Sequence, residues 1–337
     1  MRETIALMLA LFCSGYHYPS APANGYKIVN KIHLKGDEKW DFLRSDDASG
    51  RLYVSHGSIV QVVDEAKGEV IGEVGGLSGV HGIAIVSALN KGFISNGTDN
   101  SVTVFDTKTL KVITKITGIG TKPDEIYFEP YSQKVFVFNG KSNNANVIDP
   151  KTNQIVATIS LTGKPEISVS DEKGKIYVNL EDKSSIAVIN SMTYKVEQVW
   201  SIAPGEEPTG IALDAKTHRL FSTCANKLMV VVDANNGKVL ETLPIGEDPD
   251  GAAFDPELKR IYSANGDGTL TVVAEDENGK LKVLQNLPTQ KEANTIALNK
   301  RTHHLYLSTA DFDATGGGKP KIVPNSFVVL DIAPEHK

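Results

Sequence analysis

Asp41, His81, Asp124, Glu166, Thr209, Asp250 and Asn294 recur at intervals of 40 to 44 residues. If the fold brings them together they form a polar ring of four carboxylates, one imidazole and two neutral oxygen-bearing side chains. Carboxylates gathered at one mouth repel each other, so they take up a proton, bind a cation or are compensated by neighbours. Oxygen donors suit calcium or magnesium, whereas His81 with two of Asp41, Asp124, Glu166 and Asp250 suits a transition metal. A divalent cation is therefore the cofactor these residue types suggest. A purely structural alternative stands beside it. Lys39, Lys122 and Lys164 come just before Asp41, Asp124 and Glu166, so each acid has a local counter-charge and water can fill the channel. Trp40, next to Asp41, is either an aromatic wall to a pocket or outer packing.

What must position such a ring is legible in residues 124–159. Four short runs rich in Val, Ile, Phe and Tyr (DEIYFEP, QKVFVFNG, NNANVID, NQIVATI) alternate with Pro, Asn, Gly and Ser clusters, the pattern of strands joined by tight turns. Four strands cannot bury a core alone, so the unit must stack on copies of itself. Seven units follow one another, with second strands RLYVSHG, GFISNG, KVFVFNG, KIYVNL, RLFSTCAN, RIYSANG and HLYLSTAD. The expected fold is an all-β, seven-bladed β-propeller of four-stranded antiparallel blades. An Asn or Gly ending the second strand is expected to supply a positive backbone dihedral. Asp64, Asp106, Asp149, Asn190, Asp233 and Asp331 end the third strands and are assigned to turns, where they bond backbone N–H groups ahead of them. Only six units have a fourth strand of their own. Tyr26 to Leu34 reads as an unattached fourth strand that completes blade seven and locks the ring.

The 337 residues are 23% charged with a formal net charge of −6, and only six of the basic residues are arginines. No concentrated basic patch exists, which argues against tracking a phosphate backbone. Ile5 to Phe12 behind Arg2, followed by Ala21-Pro22-Ala23, reads as a secretory leader over residues 1–23, leaving 24–337 as a single domain with no membrane-spanning run. Export to the periplasm or the medium is the expectation, and a monomer is expected. Cys13 keeps open lipid anchoring, although Phe12 is large for the residue before a lipidated cysteine. Cys224 reads as a buried small hydrophobe, with a reactive thiol as the alternative. His56, His218, His303 and His304 read as surface turn residues. The Gly- and Pro-rich insertion Ala310 to Asn325 is either a contact lid or a floppy loop. No nucleophile elbow, HExxH or phosphate loop is present.

The second strands ending in Asn (IYVNL, FISNG, VFVFNG) and the turns before the first strands (KPDEI, KPEI, EPTGIA, DPDGAA) resemble the YVTN β-propeller repeats of YncE-like bacterial secreted proteins. The resemblance spans residues 26–332 and implies a seven-bladed, WD40-like ring in a periplasmic or surface-exposed protein. One such protein binds single-stranded DNA, and related propellers carry haem or serve quinone-dependent dehydrogenases. No residue of those sites transfers here, and no CxxCH haem attachment occurs. The functional expectation is a binding scaffold presenting the channel mouth, with Trp40 and the seven ring residues, to a small ligand, a cation or a protein partner. The alternatives are a lactonase-like or metal-assisted hydrolase at the same mouth, and single-stranded DNA binding.

Overall fold

The computed structural model describes residues 25–313 and 321–335. The expected leader, with Cys13, lies outside the described residues, as does the middle of the insertion. Seven four-stranded antiparallel sheets follow one another in sequence order, the expected propeller. Blade 1, for example, runs Trp40–Asp46, Arg51–His56, Ile59–Asp64 and Glu69–Val74 from the channel outward. The second and third strands are apolar on both faces and almost fully buried, because each sheet is covered by a neighbour on either side. Fourth strands are mostly exposed or half-buried with one buried residue near the end, as the outer edge of a disc must be. Buried Phe93, Val102 and Val104 of blade 2 share one apolar cluster with Val135, Val137 and Ile148 of blade 3, and such clusters repeat around the ring.

Blade 7 closes the ring. Tyr26–His33 pairs antiparallel with Val328–Pro334, from Tyr26 opposite Pro334 to His33 opposite Val328. A register shift between Ile28 and Asn30 leaves Val29 unpaired and exposed, whereas Ile32 beside it is buried in the cluster that joins blades 7 and 1. Tyr26 is also buried, and its hydroxyl lies 2.7 Å from that of Tyr262 in blade 6, so the seam strand is tied to two blades.

Three details depart from the sequence reading. Asn96, Asn139 and Asn265, which end second strands, do not adopt the positive dihedral, which falls on Asn100, Asn143 and Gly268 further round the hairpin. Their buried side-chain amides instead bond across the hairpin, as Asn96 does to Ser101 and Thr103 and Asn265 does to Thr269 and Thr271. Asp331 is not a turn residue. It lies mid-strand opposite Tyr306 and accepts a bond from His304 Nδ1 at 2.6 Å, since the third strand of blade 7 runs on to Pro334 to receive the seam strand. The other five residues cap turns as expected, as Asp106 does for Lys108 and Thr109 and Asn190 does for Met192 and Thr193.

The histidines are also more engaged than expected. His56 is 1% exposed and stacks on Phe327 at 4.1 Å. His303 keeps its turn position but bonds Asp255 of blade 6 at 2.7 Å. Only His218 of the four is an exposed turn residue. Cys224 is buried, which pushes its thiol up to about 12.

If the seam locks the disc, Ile32→Ala should lower unfolding stability by about 2–4 kcal/mol, while Val29→Ala, three residues away on the same strand, should stay within about 0.5 kcal/mol. Urea denaturation of both variants reads the difference directly. Equal effects would mean that the strand lies on the disc without holding it.

Candidate functional site

In blades 1 to 6 the first strand begins with one paired residue, then slips register before regular pairing resumes, as between Pro123 (opposite Asn139) and Ile126 (opposite Val137). Four of these leading residues are Pro123, Pro165, Pro208 and Pro249, whose missing N–H suits a strand start. The bulge swings the next side chain out of the pleat toward the channel. That next residue is Asp41, His81, Asp124, Glu166, Thr209 or Asp250, so the repeat itself builds the ring. All six, and Asn294, are partly exposed.

The seven do not contribute equally. His81 Nδ1 lies 2.5 Å from Asp41 Oδ2 and 3.3 Å from Asp124 Oδ1, which bridges blades 1, 2 and 3 through one imidazole. One donor atom from each of the three lies within 4.8 Å of the others, the only such cluster of potential metal ligands among the described residues. Their side chains are 15–23% exposed, so water or an ion reaches them. The ring of His81 fits because position 97 is glycine: a Cβ there would stand 2.4 Å from Nε2. Glu166 is held by Lys164 at 2.6 Å, and Lys164 also bonds Glu181. Lys122 approaches Asp124 at 3.9 Å, whereas Lys39 is exposed and leaves Asp41 to His81. Thus the local lysine compensation applies to Glu166, weakly to Asp124 and not to Asp41.

Thr209 uses its hydroxyl to bond the Pro249 carbonyl of the next blade at 2.6 Å. Asn294 precedes its blade's short first strand, and its carbonyl accepts the Gly251 N–H at 2.7 Å. The Thr209 side chain and the Asn294 backbone therefore stitch neighbouring blades. Trp40 stacks on Phe327 at 5.2 Å and lies 6.0 Å from Phe312 of the insertion, so it packs under that loop.

Protonation follows from crowding. Burial and the Asp41, Glu166 and Asp124 charges push Asp250 well above the usual carboxylate range. Burial raises Glu166 to about 7 despite Lys164. Burial also raises Asp41, against the bond from His81. For His81 burial acts downward, but the bond from Asp41 and the charges of Asp124 and Asp41 outweigh it, so its imidazole is raised. Crowding therefore favours the protonated forms of Asp41, Glu166, Asp250 and His81 alike.

Sequence reasoning missed what lies just inside the ring. Below it lies a cavity of about 560 Å³ whose lining mixes Arg44, Glu125, Tyr127, Asp46 and Lys300 with apolar residues. The residue after the ring position is glycine in blades 2, 5 and 6, because a Cβ at Gly82, Gly210 or Gly251 would fall within 3 Å of the next blade's backbone. Glu125 occupies that position in blade 3, and an acid where three blades carry glycine was a visible signal.

All these raised groups make the folded chain bind protons more readily than the unfolded chain. The stability they contribute is complete below the unfolded carboxylate range and is lost as pH rises through about 7. Asp250→Asn should therefore stabilise the fold relative to the parent, by an amount that grows from pH 5 to pH 8 and reaches about 1 kcal/mol or more, read as a rise in melting temperature. Melting curves at the two pH values check this, and an unchanged pH slope would place Asp250 in open water.

Residues 74–233 match the model of the YNCE-like beta-propeller family. No curated protein matches the chain significantly. Among solved structures, the chain resembles "Structure of U3-55K" with a TM-score of 0.75 and 10% identity over 92% of this chain and 99% of that one. It likewise resembles "Crystal structure of RRP9 WD40 repeats", with a TM-score of 0.76 and 10% identity over 93% and 99% of the two chains. At that identity the likeness is one of fold, and what this chain is similar to is a seven-bladed propeller scaffold with a YNCE-like central portion.

Proposed function

We propose that this chain is an exported binding propeller whose channel mouth captures a divalent transition cation on Asp41, His81 and Asp124. The observation that carries the reading is the convergence of these three donor atoms within 4.8 Å, one from each of three consecutive blades. One imidazole and two carboxylates form a mixed nitrogen and oxygen set, suited to borderline metals such as zinc, manganese or cobalt more than to calcium. Glu166 and Asp250 stand as outer acids that draw cations in and accept protons from water. The cation must displace the His81 proton, so affinity rises with pH.

Export to the periplasm or the medium rests on the leader-like residues 1–23, and a monomer is the expected state. The fold is shared with WD40 propellers, which supports a protein partner on the same face, beside the insertion that packs on Trp40. The acidic mouth opposes nucleic acid, and salt-sensitive binding to single-stranded DNA would contradict the reading.

Calorimetric titration of chelator-treated protein with zinc, manganese and cobalt tests the proposal. A single ion per chain is expected, with affinity that falls at least about 100-fold in Asp124→Asn and in His81→Ala and with a melting temperature that rises on loading. Absence of uptake, or uptake unaffected by both substitutions, overturns it. Turnover of lactones or esters by the loaded protein would convert the binding site into that of a metal-assisted hydrolase.

A further inference from the structure

The channel below the mouth is a second site of different chemistry, and none of the ring residues lines it. Arg44, in the first strand of blade 1, reaches across blade 2, whose register-equivalent residue is only Ala84, to lie 6.0 Å over the Tyr127 ring of blade 3. Its guanidinium donates from Nε to the Ile83 carbonyl at 3.1 Å and forms no ion pair among the described residues. Four N–H donors of a permanent cation are thus left facing a cavity of about 560 Å³.

Glu125 is the second polar group. It is 5% exposed, and Ser168 of blade 4 is the polar group beside its carboxyl, without fully satisfying Oε2. Burial raises Glu125 to about 8, so it is a neutral acid at neutral pH, able to donate as well as accept. It therefore does not neutralise Arg44. Ile167, Ile211 and Ile296 from three further blades supply an apolar wall, and the lining also includes Asp46, Asp47, Glu172 and Lys300.

We infer that this half of the channel binds a small organic monoanion, its carboxylate on the Arg44 guanidinium, its apolar body against Ile167, Ile211 and Ile296, and a polar substituent against Glu125. A carboxylate matches the planar fork of arginine. An apolar body gains from the isoleucine wall what water in the cavity cannot supply. Lys300 and Glu172, both exposed, belong to the same lining, so the cavity reaches solvent beside them.

The test uses benzoate and hexanoate as anionic probes and benzamide as the neutral isostere of benzoate, titrated into the full protein in the presence of chelator. Chelator removes any cation at the mouth, so the outcome is independent of the metal proposal. Benzoate or hexanoate is expected to bind, benzamide to bind at least about tenfold more weakly than benzoate, and Arg44→Met to lower benzoate affinity at least about tenfold. Ala253→Leu, which fills the channel without touching Arg44, should abolish binding with a parental melting temperature, and it serves if the Arg44 variant fails to fold. Equal affinity for benzoate and benzamide, undiminished binding in a folded Arg44 or Ala253 variant, or no binding of either anion overturns the inference.

Discussion

A sheet that is apolar on both faces cannot end. Each blade of this protein buries the two faces of its second and third strands against neighbours, and the demand passes from blade to blade until the first meets the last. Closure by Tyr26–His33 on Val328–Pro334 answers that demand and fixes the number of blades at seven. The diameter of the channel, the convergence of the inner strands and the spacing of the ring residues all follow from that number.

The same constraint explains why polar chemistry collects at the axis. First strands converge there, and at Gly82, Gly210 and Gly251 neighbouring backbones come too close for a Cβ. Inter-blade bonds such as Thr295 to the Asp41 carbonyl and Asn179 to the Thr209 carbonyl satisfy the backbone where the bulges interrupt pairing. A bulged residue has no pleat to lie in, so its side chain points into the channel. Four of these seven side chains are acids, and the channel cannot hold four bare charges. Lysine pairing, the imidazole of His81 and raised carboxyl affinities for protons are three ways of lowering that charge, and all three occur.

Periodicity made the fold legible, because blade length, strand pattern and the orphan strand at the N-terminal side are all repeat properties. Ring membership was legible for the same reason. The partnership within the ring was not, since Asp41, His81 and Asp124 differ from Glu166 and Asp250 only in what their neighbours across the channel are. Lys39 illustrates the limit: its spacing from Asp41 equals that of Lys164 from Glu166, yet one lysine is exposed and the other forms the bridge. Likewise His303 sits in a turn, as its sequence indicates, but its partner Asp255 belongs to the neighbouring blade. Such contacts join residues of different repeats, and a repeat read in isolation contains no information about them. Glu125 is the converse case, a break in the repeat that becomes meaningful once Gly82, Gly210 and Gly251 are known to pack edge to edge.

The channel is therefore divided along its axis. Its mouth gathers acids around one imidazole, and its inner half presents a permanent cation, a neutral buried acid and a wall of mixed polar and apolar residues. An anion approaching through the mouth would cross the field of Asp41, Asp124, Glu166 and Asp250, whereas the inner cavity sets Arg44 and Lys300 beside Asp46, Asp47 and Glu172. Charge bound at the mouth and charge held at Arg44 act along one axis, and any coupling between the two halves would be equal in both directions. Such coupling needs no movement of the blades. It would follow from charges set along one partly enclosed channel, where they interact more strongly than on the open surface.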